Sequence, residues 1–185
     1  MTVMPAPPPS LDRFIRLAKI MEWVTAIGIV LITILAVAAV IYADWTRNLA
    51  LAKLGQAGMN IQITPIGQAL AAIVVAIPLG VMLVGLFAVR RMFSDFARGD
   101  ILTARAAGHL QTFGATVLLQ APLSPLVSAG LSAALTFGDP SGRKAIMIGL
   151  SLNDYFALVI GGVLLATATI MREAARVAEE NASFV

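Results

Sequence analysis

Two polar side chains, Gln120 and Asp154, lie in or beside long apolar runs, where they could do chemistry. An acid within a membrane helix binds a proton or a cation by default, because a bare charge there is costly. If the helix that contains Asp154 begins near Ile146, this acid lies inside the membrane. If that helix begins near Leu152, Asp154 caps it at the outer interface, and this is the interpretation we favour.

Three prolines, Pro78, Pro122 and Pro125, fall within two of the apolar runs. Each removes a backbone donor and clashes with the carbonyl one turn earlier. Such prolines occur in broken helices that line transport sites, and also in simple kinks that neighbouring helices accommodate. Because no cluster of ionisable residues accompanies these prolines, the pattern favours kinks.

Catalytic and metal-binding motifs receive no support from the sequence. The chain has no cysteine, and His109 is its only histidine. A lone histidine is a weak candidate for a metal ligand. The sequence contains no recognisable nucleophile–base motif, glycine-rich phosphate loop or HExxH motif. We therefore expect no enzymatic activity, no metal and no cofactor.

The composition identifies the class of protein that holds these residues. Of 185 residues, 59% are hydrophobic and 12% are charged, whereas soluble domains carry about 25% charged residues. A chain of this length cannot hide so much apolar surface in a water-soluble core. The composition therefore predicts a membrane protein whose solvent is the lipid bilayer.

The apolar runs predict four membrane-spanning helices, at about residues 22–43, 66–89, 110–137 and 152–171. About 20 apolar residues are needed to cross the bilayer as a helix. The runs are apolar on every face, whereas strands of a membrane barrel would alternate polar and apolar residues. We expect an all-α, four-helix membrane bundle as one domain over residues 11–185, after a disordered Pro-rich leader at residues 1–10.

Lysine and arginine counts predict the orientation of these helices. The segment before the first span (residues 1–21), the second loop (residues 90–109) and the tail (residues 172–185) together hold nine, whereas the first and third loops hold four. The positive-inside rule therefore places both termini in the cytoplasm. The same rule accounts for the net charge of +3, so we expect no direct binding to nucleic acid.

Small residues recur at four-residue spacing in two predicted spans. Ala72, Ala76 and Gly80 form one row, and Ala157 and Gly161 form another. Such rows let helices approach closely. They fit either a homo-oligomer face or seams inside the bundle, and we favour the internal seams.

The loop at residues 90–109 carries signals for an ordered helical hairpin. Gly99 suits the C-terminal cap of a helix that continues from the second span, and Thr103 suits the N-terminal cap of the next one. Phe93 and Phe96 lie three residues apart and are expected to pack back onto the bundle. On this interpretation Asp95, together with Arg91 and Arg98, faces the other way.

The hairpin and the tail resemble a family of small bacterial inner-membrane proteins, domain of unknown function 2975. The resemblance in the loop rests on Phe96, Gly99, Asp100, Leu102, Thr103 and Leu110, and in the tail on Glu179, Glu180, Asn181 and Val185. Ala106 or Ala107 stands where the family pattern has asparagine. The resemblance implies no established activity, and it implies a gene often found beside that of a small helix-turn-helix transcription regulator.

These features predict a non-enzymatic regulatory or sensory partner of a small cytosolic transcription regulator. The candidate partner-binding residues are Phe93, Phe96, Arg98, Gly99, Asp100, Thr103, Glu179, Glu180 and Asn181. Two alternatives remain. A small transporter or channel subunit would use Gln120 and Asp154 within the membrane, and a structural subunit would support a larger membrane complex.

Overall fold

The computed structural model describes residues 9–41, 64–101, 103–135, 137, 149 and 151–183. It contains four helices: α1 (Pro9–Ile41), α2 (Pro65–Ala97), α3 (Ala104–Leu135) and α4 (Leu152–Ser183). All four are long and apolar enough to cross a membrane. Within these ranges the backbone forms no strand. The predicted all-α, four-helix membrane fold is confirmed.

The helices are longer than the apolar runs from which the membrane spans are predicted. Helix α1 begins at Pro9, before the span predicted from residue 22, and α2 continues beyond Val89 to Ala97, as predicted for a helix that stops at Gly99. The predicted disordered leader lies outside the described residues except for Pro9 and Ser10, which already belong to α1. Helix α4 runs from Leu152 to Ser183, so most of the predicted tail is a continuation of the last helix.

The backbone stays helical across all three prolines. Pro78 lies within α2, and Pro122 and Pro125 lie within α3. The helices are therefore continuous at these positions, which agrees with the favoured interpretation and not with the alternative of an unwound segment as in a broken transport helix. In a membrane, neighbouring helices and side chains can pair with the backbone groups that a proline leaves free.

The helices pack in the order of the sequence. The extensive contacts are those of α1 with α2, α2 with α3, and α3 with α4. At the end where α2 begins, Thr64 accepts a hydrogen bond from the Gly67 N–H (3.1 Å) and donates one to the carbonyl of Phe137 (3.1 Å). These bonds fix the start of α2 beside the end of α3.

A seven-residue repeat of buried positions explains how α4 packs on α3. Asp154, Gly161, Ala168 and Ala175 are the buried residues of α4, each seven residues after the one before. A repeat of seven keeps one face of a helix against its neighbour. Three of these four residues are Gly or Ala, so the two backbones can approach closely.

Helix α2 has a similar seam made mostly of small residues. Its buried or half-buried positions alternate in steps of four and three: Gly67, Ala71, Val74, Pro78, Val81, Gly85, Ala88, Met92 and Asp95. The favoured interpretation of the row Ala72, Ala76 and Gly80 as an internal seam is wrong, because Ala76 and Gly80 are exposed. The true seam lies one residue earlier along the helix, at Ala71.

Large apolar side chains cover the outside of the molecule. Among them are Ile27, Ile73, Leu126 and Ile160, each more than half exposed. Most of the buried hydrophobic residues are alanine. This arrangement reverses that of a soluble protein and suits a molecule surrounded by hydrocarbon.

Candidate functional site

A tight turn joins α2 to α3 and is stabilised by a glycine cap. Gly99 has φ of +92°, a left-handed conformation that glycine adopts without strain. Its N–H donates to the Phe96 carbonyl and the Asp100 N–H donates to the Asp95 carbonyl, both at 3.1 Å. This pair of bonds is the Schellman motif. The predicted helix end at Gly99 is confirmed.

Thr103 begins the next helix. Its hydroxyl accepts a hydrogen bond from the Ala106 N–H (3.2 Å), and its carbonyl accepts one from Ala107 (3.1 Å). Both alanines are fully buried. Capped on both sides, the turn is short and ordered, and we call residues 90–109 the hairpin.

The aromatic side chains of the hairpin pack inward. Phe93 and Phe96 lie against a core of Met92, Leu110 and Ala168, which joins α2, α3 and α4. The ring of Phe96 also lies 5.7 Å from that of Phe14 on α1. The predicted inward packing of the two phenylalanines is confirmed, so all four helices are linked at this end.

Asp95 lies inside the molecule, contrary to the expectation that it faces away from the phenylalanines. It is 6% exposed, and its Oδ2 lies 3.5 Å from Nε2 of His109. That oxygen has no hydrogen-bond partner. The reason for the error is that Asp95 is the last position of the α2 seam, three residues after the buried Met92. Arg91 and Arg98 are exposed, as expected.

The C-terminal part of α4, residues 172–183, contacts the rest of the protein near its beginning, where Ala175 is buried. Arg172 donates to the side-chain oxygen of Gln111 on α3. Arg176 pairs with Glu173 and Glu180 along the exposed side of the helix. The hydrogen bond and positive charge of Arg176 lower the pKa of Glu173 below its ordinary value. Because α3 and α4 run in opposite directions, the close approach of Gly161 to Leu118 places the first turn of α3 level with about residues 172–175 of α4.

The predicted partner-binding residues fall into two classes. Phe93, Phe96 and Thr103 are half-buried and stabilise the hairpin. The others are exposed: Arg98, Gly99, Asp100, Glu179, Glu180 and Asn181. The exposed residues lie on the turn and on the last part of α4, at the same end of the molecule. Leu102 and Val185 lie outside the described residues.

The two predicted intramembrane polar residues are both engaged in structural bonds. Gln120 donates from Nε2 to the carbonyl of Pro78 (2.9 Å), which joins α3 to α2. Asp154 lies in the first turn of α4, where its Oδ2 accepts from the Ser151 N–H (2.8 Å) and its own N–H donates to the Ser151 hydroxyl (3.3 Å). These reciprocal bonds form a capping box, as expected for a helix that begins near Leu152.

Sites for metals are not found in the described ranges. No group of three or more histidine, aspartate or glutamate side chains lies together there. An open groove beside α3 is lined by Gln111, Thr112, Ala115, Thr116 and Leu119, with no charged group. The Asp95–His109 pair is thus the one buried titratable pair that the described residues bring together from different helices.

Comparisons with known proteins give no match. No model of a known protein family fits the chain, and neither a curated protein nor a solved structure is found to be similar to it.

Proposed function

We propose that the protein is a non-enzymatic regulatory component of the bacterial inner membrane that binds a soluble cytosolic protein, a small helix-turn-helix transcription regulator. The observation that carries the proposal is the surface formed at one end of the molecule by the hairpin turn and the last part of α4. We call this the end surface and define it by Arg98, Asp100, Glu179 and Asn181.

Rigidity supports this assignment of the end surface. The turn is capped on both sides by Gly99 and Thr103, and the aromatic core beneath it links four helices. The bond from Arg172 to Gln111 holds α4 beside α3. A preorganised surface loses less entropy when it binds a partner than a mobile loop does.

The charged side chains of the end surface also support its assignment as the partner-binding site. The end surface exposes an arginine and an aspartate on the turn, and a glutamate and an asparagine on α4. The lysine and arginine counts favour the cytoplasm for this end.

The polar groups in or beside the membrane, Gln120 and Asp154, are engaged in hydrogen bonds within the protein. A transport function therefore gains no support from them.

The proposal is tested by measuring how the full-length protein, held in lipid nanodiscs, binds a purified regulator. The regulator is the small helix-turn-helix protein encoded nearest to its gene. We expect a measurable Kd for the unaltered protein. Charge reversal by Asp100→Lys together with Glu179→Lys removes two acidic groups from the end surface and should weaken binding about tenfold or more. Asp12→Lys provides the matched control, because Asp12 is an exposed acid on α1.

Equal affinity for all these variants would contradict the assignment of the end surface. No binding by the unaltered protein would contradict the proposed partner. Circular dichroism of each variant in nanodiscs should show unchanged helix content, which separates lost recognition from lost folding.

A further inference from the structure

Asp95 is unusual because a buried carboxylate oxygen normally has a hydrogen-bond partner. Its residue is 6% exposed, yet its Oδ2 accepts no hydrogen bond. A buried charge without a partner is costly. A buried carboxylate at this position therefore needs a nearby group that stabilises its negative charge.

His109 is placed to supply that compensation. Its Nε2 lies 3.5 Å from Oδ2 of Asp95, across the gap between α2 and α3. The side chain of His109 is 23% exposed, so water can deliver a proton to the imidazole. Histidine is the side chain that ordinarily changes charge between about pH 5 and pH 8.

We propose that Asp95 and His109 form a proton-binding site that couples pH to the shape of the hairpin. With a proton bound, the pair is an imidazolium and a carboxylate joined by a charge-assisted bond, which is shorter and stronger than a neutral one. Loss of the proton leaves the buried carboxylate beside a neutral ring. The attraction between the ends of α2 and α3 is then weaker, so the hairpin opens as the pH rises.

The backbone of Asp95 connects this site to the turn. Its carbonyl accepts hydrogen bonds from the N–H groups of Arg98 (3.0 Å) and Asp100 (3.1 Å). A movement of Asp95 away from His109 therefore moves the cap itself. The inference goes beyond the proposed function, since it concerns the protein's own shape and requires no partner.

Other charged groups near this end are too distant to replace His109. The neighbouring elements carry Arg105 on α3, Arg172 on α4, and Arg13 and Arg16 on α1. Within the described residues, the only basic side chain within 4.0 Å of the Asp95 carboxylate is that of His109. Arg172 is hydrogen-bonded to Gln111.

The test measures the separation of α2 and α3 at two pH values in the full-length protein. The chain has no cysteine, so spin labels attach only at introduced cysteines, here Arg91→Cys and Ala104→Cys, both at exposed positions. Electron-resonance distances are recorded in nanodiscs at about pH 5.5 and about pH 8, on either side of imidazole titration. We expect a longer and broader distance distribution at the higher pH.

Variants of the pair identify the groups responsible. Asp95→Asn and His109→Gln should each abolish the pH-dependent change, whereas Asp100→Asn should retain it because this exposed acid lies outside the pair. Labels at Thr112→Cys and Thr169→Cys report the spacing of α3 and α4 and should not respond to pH. Asparagine and glutamine keep similar shapes, and circular dichroism checks that each variant folds.

Two results would overturn the inference. One is an identical distance distribution at both pH values in the protein with an intact pair. The other is a pH-dependent change that persists after either member of the pair is replaced.

Discussion

At the scale of single residues, two glycines determine how closely α3 and α4 pack. A Cβ added at Gly161 would lie 2.6 Å from the backbone nitrogen of Leu118, and one added at Gly114 would lie 3.1 Å from that of Leu165. Both obstacles are backbone atoms, which cannot move aside like the end of a side chain. The seam therefore requires the smallest residue on each helix.

Gly161→Ala should destabilise the protein by about 1–3 kcal/mol, the usual cost of overpacking. The added methyl group would force α3 and α4 apart. The neighbouring Gly162 provides a matched control, because nothing lies within 4 Å of a Cβ placed there. Thermal unfolding in nanodiscs should show a lower Tm for Gly161→Ala only. Equal Tm values for the two variants would show that the close approach is absent.

A second prediction at this scale concerns the start of α4. Ser151→Ala should cost about 1 kcal/mol of stability, because it removes the hydroxyl that accepts from the Asp154 N–H. Asp154→Asn should be similarly mild. The stability of both variants is measured by thermal unfolding in nanodiscs.

Proteoliposomes with Asp154→Asn should retain the proton and cation permeability of the unaltered protein. A selective loss of flux would contradict a purely structural role for Asp154.

The structural role of a residue could be predicted where it depends on neighbours in sequence. It could not be predicted where it depends on contacts with a distant part of the chain. Gly99 and Thr103 act within a few residues of their own positions, so the sequence was sufficient to identify both caps. The pairing of Asp95 with His109 depends on the register of α2 against α3. No local signal reports that register, and Asp95 was therefore placed on the wrong face.

At the scale of elements, the hairpin depends on the conformation of one residue. Gly99 is the only described residue that the backbone holds at positive φ. A side chain there meets the following carbonyl, which costs about 1–2 kcal/mol. The cap at the end of α2 is therefore sensitive to substitution of Gly99.

Gly99→Ala should lower the free energy of unfolding by about 1–2 kcal/mol and increase cleavage by trypsin at Arg105. The matched control is Gly108→Ala, a helical position with open space around an added Cβ. This control should be neutral or slightly stabilising, because alanine favours helix. Limited proteolysis in nanodiscs measures the difference. Equal cleavage of both variants would argue against the cap.

The number of helices could be predicted, and so could the ends that carry a cap, whereas the start of α1 and the packing faces could not. Each apolar run marks the part of a helix that lies in hydrocarbon. It does not mark where a helix without a cap signal begins, which is why Pro9–Met21 extends α1 beyond the predicted span. The row at Ala72 was misassigned because alanine occurs on several faces of α2, and composition does not distinguish them.

At the scale of the whole molecule, the arrangement of side chains fits a protein whose solvent is lipid. Small residues are buried between the helices, and large aliphatic side chains lie outside. Packing between small residues lets helix backbones make close van der Waals contact, which drives association in lipid. The fold therefore depends on the bilayer as much as on its own contacts.

The orientation of the molecule can be tested with single cysteines, since the chain has none of its own. We expect Asp100→Cys to react with a membrane-impermeant maleimide only after the cells are opened, because the Lys and Arg bias places the hairpin inside. Phe137→Cys, at the opposite end, should react in intact cells. The reverse pattern of labelling would show that the protein is inserted the other way round.

Helix α4 has a mechanical consequence because it runs without a break from Leu152 to Ser183. At 1.5 Å per residue it is a rod about 48 Å long, well beyond the 30 Å of the hydrocarbon layer. With no hinge to absorb it, a tilt of about 10° around the bilayer midplane displaces the C-terminal tip sideways by about 5 Å. Bilayer thickness and lateral pressure, which set helix tilt, would thus be transmitted directly to the part of α4 that projects from the bilayer.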